Sequence, residues 1–310
     1  METLTEATNL LESLSNDLTQ VIESVSRSVV AVNARRHLSS SGVYWRDGIV
    51  VTAAHTIRRA EAISVIVSGG ATMTAALAGV DPSTDVAVLK IDSEDLAVAN
   101  PGDPRDLRVG QLVVAVGRGA LRGLNAALGV IGVLSASWRT LRGGLIDQFI
   151  GLDLVLHSGA AGGPLIDAHG RVLGINTPAL SRNIALTIPS STIDRIVTRL
   201  LEKGHLDRGY LGLGMQPIPI PEPLKRSLNL PSDSGLIVVT VDLDGPGARA
   251  GVLFGDIIVS LEGTTVVSIR DLQPFLEPES VGKPVAVSII RGGQLVELNV
   301  TVGERKQRDR

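Results

Sequence analysis

Short runs of valine and isoleucine, separated by glycine, Asp-Pro and serine clusters, dominate the chain from about residue 29 onward. Examples are residues 28–32, 48–52, 63–67 and 112–116. β-Branched residues in brief runs bounded by turn formers are typical of antiparallel strands. The pattern therefore predicts a mainly β protein whose strands are joined by tight turns.

Two segments depart from this pattern and are predicted to be helices. Over residues 4–28, apolar side chains recur at alternating gaps of three and four, the spacing of a heptad seam. Such a stripe fits an amphipathic helix lying on its own domain and a coiled-coil contact between subunits equally well. The second helix begins after Pro189 and Ser190 and is expected to end at Gly204.

The chain has 310 residues, which exceeds the usual size of one hydrophobic core, so two domains are expected. The strand pattern restarts after Gly204. The expected divisions are an N-terminal helix over 1–28, a first domain over 29–205, a second over 206–304 and a charged tail over 305–310. Residues 217–223 are rich in proline and are expected to form a surface loop, because proline cannot donate to a strand ladder.

Composition excludes several classes of function. The chain has no cysteine, which rules out disulfides, thiolate metal sites and cysteine nucleophiles. A formal net charge of -3 gives no general attraction to nucleic acid or anionic membrane. No run of about 18 apolar residues is present, so no membrane-spanning helix is expected. Four histidines show no metal-ligand spacing: His37, His157, His169 and His205.

The first residues bear on localisation. Met1-Glu2-Thr3-Leu4-Thr5-Glu6 lacks both the basic region and the apolar run of a secretory signal peptide. As written, the chain is therefore predicted to be cytoplasmic. The alternative is a periplasmic or exported protein whose signal sequence has been removed.

Three motifs contain residues that could take part in catalysis, and they occur in the order histidine, aspartate, glycine-rich turn. Thr52-Ala53-Ala54-His55 follows a β run, Asp85 opens an apolar strand, and residues 159–165 read Gly-Ala-Ala-Gly-Gly-Pro-Leu. Singly, His55 reads as a surface histidine and Asp85 as a turn residue. In combination with the glycine turn, whose backbone N–H groups can converge on a developing oxyanion, these separate explanations are less convincing, and the three motifs are interpreted together.

These motifs resemble those of the trypsin-like serine proteases, specifically the HtrA/Deg family, in which they read T-A-A-H, D-[IVL]-A-[VL]-L and G-N-S-G-G-P-L. Asp153 and residues 170–177 and 188–190 add to the similarity. The resemblance implies a chymotrypsin-like double β-barrel protease domain with an N-terminal helix. It implies that His55 is the general base, that Asp85 orients its ring, and that the N–H groups of Gly159 and Ala161 form the oxyanion hole.

The primary specificity pocket is placed by the same resemblance. Residues 183–187 correspond to the strand edge that flanks this pocket, so Ile184 and Leu186 are its candidate lining residues. An uncharged pocket would favour cleavage after small or medium aliphatic residues. Core packing explains both side chains equally well.

The second domain carries its own resemblance. Residues 208–213 are similar to the carboxylate-binding loop that opens HtrA-type PDZ domains, and residues 246–263 follow the A-G-[LI]-x-x-G-D-[VI]-I pattern. This implies an α+β sandwich of five to six strands that binds C-terminal peptides. Its candidate groove residues are Tyr210, Leu211, Gly212, Leu213 and Leu272. Leu272 fits the core equally well, and Pro274 predicts that its helix begins near Arg270 or Asp271.

One position departs from the family pattern in a way that decides the chemistry. The serine nucleophile falls on Ala161, and a methyl group cannot attack a carbonyl, so the chain as written is predicted to be inactive. Engineered replacement of serine is the favoured explanation, because His55, Asp85 and the glycine turn remain. The alternative is a natural pseudoprotease that holds peptides as a scaffold or chaperone. Ser158 is a poor substitute nucleophile, because the family geometry points it elsewhere.

The function implied by the resemblance is that of an ATP-independent serine endopeptidase for quality control of unfolded or damaged proteins. Its expected partners are such polypeptides and C-terminal peptides at the PDZ groove. A homotrimer or a multiple of trimers is implied, with no cofactor and no metal.

Overall fold

The computed structural model describes residues 2–35, 38–58, 61–93, 96–121, 123–181, 183–203 and 209–304. The chain separates into two units, Met1–Leu206 and Asp207–Arg310. The expected domain boundary at 205/206 and the charged tail over 305–310 lie outside the described residues, so both stay predictions.

Six antiparallel strands of the first unit close into a barrel in the order β1-β2-β3-β6-β5-β4. They are β1 Val29–Asn33, β2 Ser40–Arg46, β3 Ile49–Ala53, β4 Ile63–Ile66, β5 Thr72–Asp81 and β6 Val86–Ile91. Alternate side chains such as Val30, Val50 and Leu89 form one buried cluster. The short β-branched runs of the sequence are thus strands of a closed sheet.

A second barrel follows, in the order β11-β14-β13-β12-β7-β8. The strands from here are β7 Leu112–Gly119, β8 Gly123–Ser135, β9 Trp138–Arg139, β10 Leu145–Ile146, β11 Phe149–Asp153, β12 Pro164–Ile166, β13 Val172–Thr177 and β14 Ala185–Pro189. Strands β9 and β10 form a separate hairpin. Val113, Ile131 and Leu165 belong to the buried cluster of this barrel.

A third cluster joins the two barrels. Val51 and Val88 of the first barrel and Val114 and Val116 of the second are buried in it together. Strands of both barrels therefore meet at one shared core. The expectation of a mainly β protein with a double-barrel domain is confirmed.

Two helices cover the shared core. Helix α2, Ser190–Lys203, buries Ile193, Ile196 and Val197. Helix α1, Glu2–Ser26, packs Leu18, Val21 and Val25 against the same cluster, whereas Leu10, Leu11 and Leu14 are exposed. No described helix is long and apolar enough to cross a membrane.

The C-terminal unit is built on a sheet in the order β16-β17-β18-β20-β21, with β19 beside β18 and with a separate pair β15-β22. Its elements are β15 Gly209–Tyr210, β16 Leu213–Pro219, α3 Glu222–Ser227, β17 Ser234–Val241, α4 Pro246–Arg249, β18 Ile257–Leu261, β19 Thr264–Thr265, β20 Pro284–Arg291, β21 Gln294–Thr301 and β22 Gly303–Glu304. Two short 3₁₀ helices, Ile269–Leu276 and Pro278–Ser280, precede β20. This is the α+β arrangement expected of a PDZ domain.

The expectation of a loop over residues 217–223 is wrong for its first part, because Pro217 and Pro219 lie in β16. Within its sheet, β16 is hydrogen-bonded on one side only, to β17. The Ile220 N–H donates to the Asp233 carbonyl at 2.7 Å, on the side of β17. Successive backbone nitrogens of a strand point to opposite edges, so the nitrogens of Pro219 and Pro217 point to the open edge. Proline is tolerated there because no ladder bond is lost.

The segment around Pro274 also differs from expectation. It begins at Ile269 and is a 3₁₀ helix, with Ser268 and Asp271 forming a capping box. The Asp271 carboxylate accepts from the backbone N–H groups of Val267 at 2.9 Å and Ser268 at 2.8 Å. These bonds fix the start of the helix earlier than the position of the proline alone suggests.

Candidate active site

His55 lies where β3 turns into the short 3₁₀ helix Ala54–Thr56. The Thr56 hydroxyl donates to the Ala53 carbonyl at 2.6 Å and closes this turn. The guanidinium of Arg35 donates to the carbonyls of His55, at 2.6 Å, and Thr56, at 3.0 Å. The backbone around His55 is therefore fixed by hydrogen bonds to the carbonyls of Ala53, His55 and Thr56.

Asp85 stands in a left-handed conformation, with φ of 63°. The buried Asp81 carboxylate organises the turn that leads to it, accepting from the backbone N–H groups of Ser83 at 2.9 Å and Thr84 at 3.2 Å. The β9–β10 hairpin holds the same turn, since the Thr140 hydroxyl donates to the Ser83 carbonyl at 2.7 Å. These contacts stabilise a backbone geometry that a non-glycine residue seldom adopts.

The two side chains form a hydrogen-bonded pair. His55 Nδ1 lies 2.8 Å from Asp85 Oδ2, and the His55 backbone N–H donates to Oδ1 at 2.8 Å. Asp85 is 3 % exposed, and the His55 side chain is 28 % exposed. A carboxylate on Nδ1 selects the tautomer that leaves Nε2 without a proton, so the ring can act as a general base.

A third side chain, that of Thr177, contacts this pair, and no role was assigned to it from the sequence. Its hydroxyl donates to Asp85 Oδ2 at 2.5 Å from the end of β13, on the second barrel. The run Gly174-Ile175-Asn176-Thr177 matches the family pattern, but no residue spacing assigns a role to its last member. The Asp85 carboxylate thus accepts hydrogen bonds from residues of both barrels.

The glycine turn lies against the strand that carries His55. Gly162 has φ of 81°, and a Cβ there would stand 2.5 Å from the Thr52 hydroxyl and 2.8 Å from the Ala53 nitrogen. Only glycine fits this approach. Its neighbour Ala161 is thereby set beside the strand end that leads into His55.

The turn is ordered by its own hydrogen bonds. Ala160 N–H donates to the His157 carbonyl at 3.0 Å, and Gly162 N–H donates to the Asn176 carbonyl at 2.8 Å. Within the described part of the chain, the backbone N–H groups of Gly159 and Ala161 have no backbone acceptor. Two such donors on one turn are what binding of a tetrahedral oxyanion requires.

The two candidate pocket residues differ in exposure. Ile184 is 36 % exposed, and a Cβ on Gly151 would lie 3.0 Å from its Cδ1 atom. Leu186, which pairs with Gly151 in the sheet, is 2 % exposed. Ile184 is therefore the member of the pair with surface to offer a substrate.

The candidate peptide loop of the C-terminal unit turns at Gly212, where φ is 74°. A Cβ there would lie 2.9 Å from the Gly245 Cα atom. The carbonyls of Leu211 and Gly212 accept from the N–H groups of Gly247 and Asp242, at 2.7 and 2.8 Å. The loop is thus anchored through its carbonyl groups.

The remaining groove candidates flank this loop. Tyr210 lies in β15 and Leu213 begins β16, whose other edge is open within its sheet. Leu272 is 1 % exposed and belongs to the core, whereas Phe275 and Leu276 are half-buried beside it. The last two offer more apolar surface than Leu272 does.

A double β-barrel with a hydrogen-bonded His–Asp pair beside a glycine turn defines the class of trypsin-like serine proteases. In agreement, residues 40–175 match the family model described as "Trypsin-like peptidase domain", and residues 209–302 match "PDZ domain".

More specific similarities narrow the class to one family. The chain is 37 % identical over 270 residues to a probable periplasmic serine endoprotease DegP-like from Brucella suis, covering 85 % of this chain and 52 % of the relative. The DegP-like protein of Halomonas elongata is 34 % identical over 275 residues, covering 87 % and 57 %. The chain spans about half the length of these curated relatives.

Solved structures agree over nearly the whole chain. The serine endoprotease from Yersinia pestis has a TM-score of 0.73 and 28 % identity, covering 93 % of this chain and 98 % of that one. The HtrA-type protease AlgW with a decapeptide has a TM-score of 0.72 and 27 % identity, with the same coverage. The chain belongs to the HtrA/DegP family.

The prediction of a cytoplasmic protein is wrong. It was based on the first residues alone, whereas the matching DegP-like relatives are named as periplasmic. Residues at the start of a sequence report a targeting signal only if the signal is included, so their composition was insufficient to assign a compartment.

Proposed function

We propose that this chain is the inactive alanine form of a periplasmic serine endopeptidase that cleaves unfolded or damaged proteins without ATP. In the serine form, the hydroxyl at position 161 would attack the scissile carbonyl and His55 would take its proton. Asp85 would stabilise the resulting imidazolium. The N–H groups of Gly159 and residue 161 would stabilise the oxyanion.

The observation that carries the proposal is the His55–Asp85 pair, whose Nδ1–Oδ2 distance is 2.8 Å. A base already held in the required tautomer has no role in a scaffold that only binds peptides. The intact glycine turn adds to this, since Gly162 accepts no side chain. Both features favour an engineered loss of serine over a natural pseudoprotease.

The experiment is digestion of β-casein by the chain as it stands, by the Ala161→Ser variant, and by Ala161→Ser with His55→Ala. We expect the single variant to exceed the other two by about 10⁴-fold or more in kcat. The expected cleavage sites follow small or medium aliphatic residues, with Ile184 at the pocket.

The His55→Ala control separates triad chemistry from a contaminating protease, because a contaminant is indifferent to that change. Absence of cleavage by Ala161→Ser, with casein binding retained, would instead establish a peptide-binding scaffold. Cleavage mainly after arginine or lysine would refute the uncharged pocket.

The C-terminal unit is proposed to bind the C-terminal ends of polypeptides between β16 and the 3₁₀ helix, as an added strand. A homotrimer is proposed as the assembly, and the exposed leucines of α1 are compatible with a contact between subunits. Light scattering that gives a monomer would contradict it.

A further inference from the structure

Ser41 is a fully buried residue of the first barrel that contacts the glycine turn of the second. Its backbone N–H donates to the Ala161 carbonyl at 2.9 Å. Its hydroxyl donates to the Gly159 carbonyl at 2.7 Å. One residue of β2 therefore holds carbonyl groups on both sides of the peptide unit that carries the Ala161 N–H.

The direction of the hydroxyl proton follows from its neighbours. The Arg118 backbone N–H donates to Ser41 Oγ at 2.8 Å and occupies an acceptor position of the oxygen. The Arg118 carbonyl is a more distant acceptor, at 3.4 Å, than the Gly159 carbonyl. The single hydroxyl proton is therefore directed at Gly159.

Three consecutive peptide units of the turn are each held. The 159–160 unit is fixed by Ser41 Oγ and by the bond from Ala160 N–H to the His157 carbonyl. The 160–161 unit is fixed by Gly163 N–H, which donates to the Ala160 carbonyl at 3.0 Å. The 161–162 unit is fixed by the Ser41 N–H and the Asn176 carbonyl. Only the first unit depends on a side chain.

That side-chain bond lies between the two oxyanion donors. Rotation of the 159–160 unit would change the dihedral angles that relate Gly159 N–H to Ala161 N–H. Gly159 has φ of 93°, and glycine adopts this and other conformations readily, so the residue by itself does not fix the orientation of the unit. Donors aimed in advance are what gives an oxyanion hole its effect. We propose that the Ser41 hydroxyl is a positioning group that keeps the two N–H donors convergent. The proposal rests on the function proposed above.

The test compares Ser41→Ala with Ser39→Ala, both in the chain as it stands and in the Ala161→Ser background. Ser39 is a matched control, because its hydroxyl also accepts from a backbone N–H, that of Ala120 at 2.9 Å, without a bond to the turn. In both variants a backbone donor loses its partner, so general destabilisation affects both.

In the serine background, we expect Ser41→Ala to lower kcat about tenfold with KM changed less than twofold. Affinity for a peptidyl aldehyde, which forms a tetrahedral oxyanion, should fall by the same factor, while affinity for the matching product peptide stays constant. Ser39→Ala should leave kcat and both affinities unchanged. Equal losses for aldehyde and product, or no loss of kcat, would overturn the proposal.

A measurement in the chain as it stands is independent of activity. Hydrogen exchange of the Ala160 amide should be about tenfold faster in Ser41→Ala than in Ser39→Ala, because the 159–160 unit loses one of its two bonds. If Ala161→Ser proves inactive, the proposed function fails, and this exchange rate still decides whether Ser41 holds the turn. Unchanged protection would overturn that role.

Discussion

The protease unit and the C-terminal unit are both proposed to bind an extended peptide, but their candidate sites are built in different ways. The candidate protease site is built from side chains such as Asp85, which is fixed by donors from two barrels. The candidate groove of the C-terminal unit depends on backbone, namely the turn at Gly212 and the open edge of β16. Single polar substitutions should therefore disable the first site, while the second should be sensitive to backbone geometry.

The largest expected effect tests the side-chain dependence of the protease site. In the Ala161→Ser background, Asp85→Asn keeps the shape of the group but should lower kcat about 10⁴-fold, because an amide favours the wrong tautomer of His55. Steady-state hydrolysis of a chromogenic peptide measures it. Asp92→Asn, at an exposed carboxylate after β6, is the control and should retain full activity. A loss below tenfold would show that Asp85 is not essential.

The second prediction concerns Asp256, a buried carboxylate of the C-terminal unit with no proposed role in binding. Its replacement should have a smaller effect than Asp85→Asn. Burial would raise the pKa of Asp256, but its bonds to Arg291 and to the Leu253 N–H hold that pKa below its ordinary value. Asp256→Asn should lower the free energy of unfolding of this unit by about 2 kcal/mol. This loss is smaller than that expected for a fully buried ion pair, because Arg291 is partly exposed to solvent. Hydrogen exchange of β20 measures it.

The pH dependence follows from the direction of that shift. Because the folded pKa lies below the unfolded value of 3.8, the stabilisation is fully present above pH 3.8 and is lost as pH falls through the folded pKa. The unit should therefore become less stable below about pH 4, and Asp256→Asn should show a smaller change. Asp233→Asn, at an exposed carboxylate, should keep the original profile. Identical profiles for all three proteins would contradict the assignment.

The smallest effect tests the backbone dependence of the peptide loop. Gly212→Ala should weaken binding of a C-terminal peptide about tenfold, because a Cβ would stand 2.9 Å from Gly245 Cα in a left-handed turn. Gly251→Ala shares the left-handed conformation, with φ of 83°, but meets no atom within 4 Å. Calorimetric titration that finds equal affinities for the two variants would remove Gly212 from the peptide site.

Local signals in the sequence predicted the helices and strands well where the composition and spacing of one segment determine its structure. The short valine- and isoleucine-rich runs became barrel strands, and the amphipathic stripe after Pro189 became α2. The rule that proline breaks strands failed at Pro217, since its cost depends on whether a partner strand lies on the N–H side. That information is absent from the segment itself.

The candidate site divides in the same way. His55, Asp85 and the glycine turn were predicted because their three motifs occur together, in the order that the family has. Thr177 and Ser41 were not, because a hydroxyl acts here only through the carboxylate or carbonyl that the other barrel brings to it. Hydroxyl residues are frequent in strands, and no spacing distinguishes Thr177 and Ser41 from the others.

The sequence by itself determined the residue types of the candidate site, including alanine at position 161, and most of the succession of strands and helices. These depend on side-chain chemistry and on periodicity, which are local properties. Tertiary structure alone decided that the His–Asp pair meets Thr177, that Ser41 holds the turn, and that Leu272 is buried while Ile184 is partly exposed. The physical reason is that hydrogen bonds and burial depend on distances between segments far apart in the chain, which only the closed barrels and the packed sheet establish.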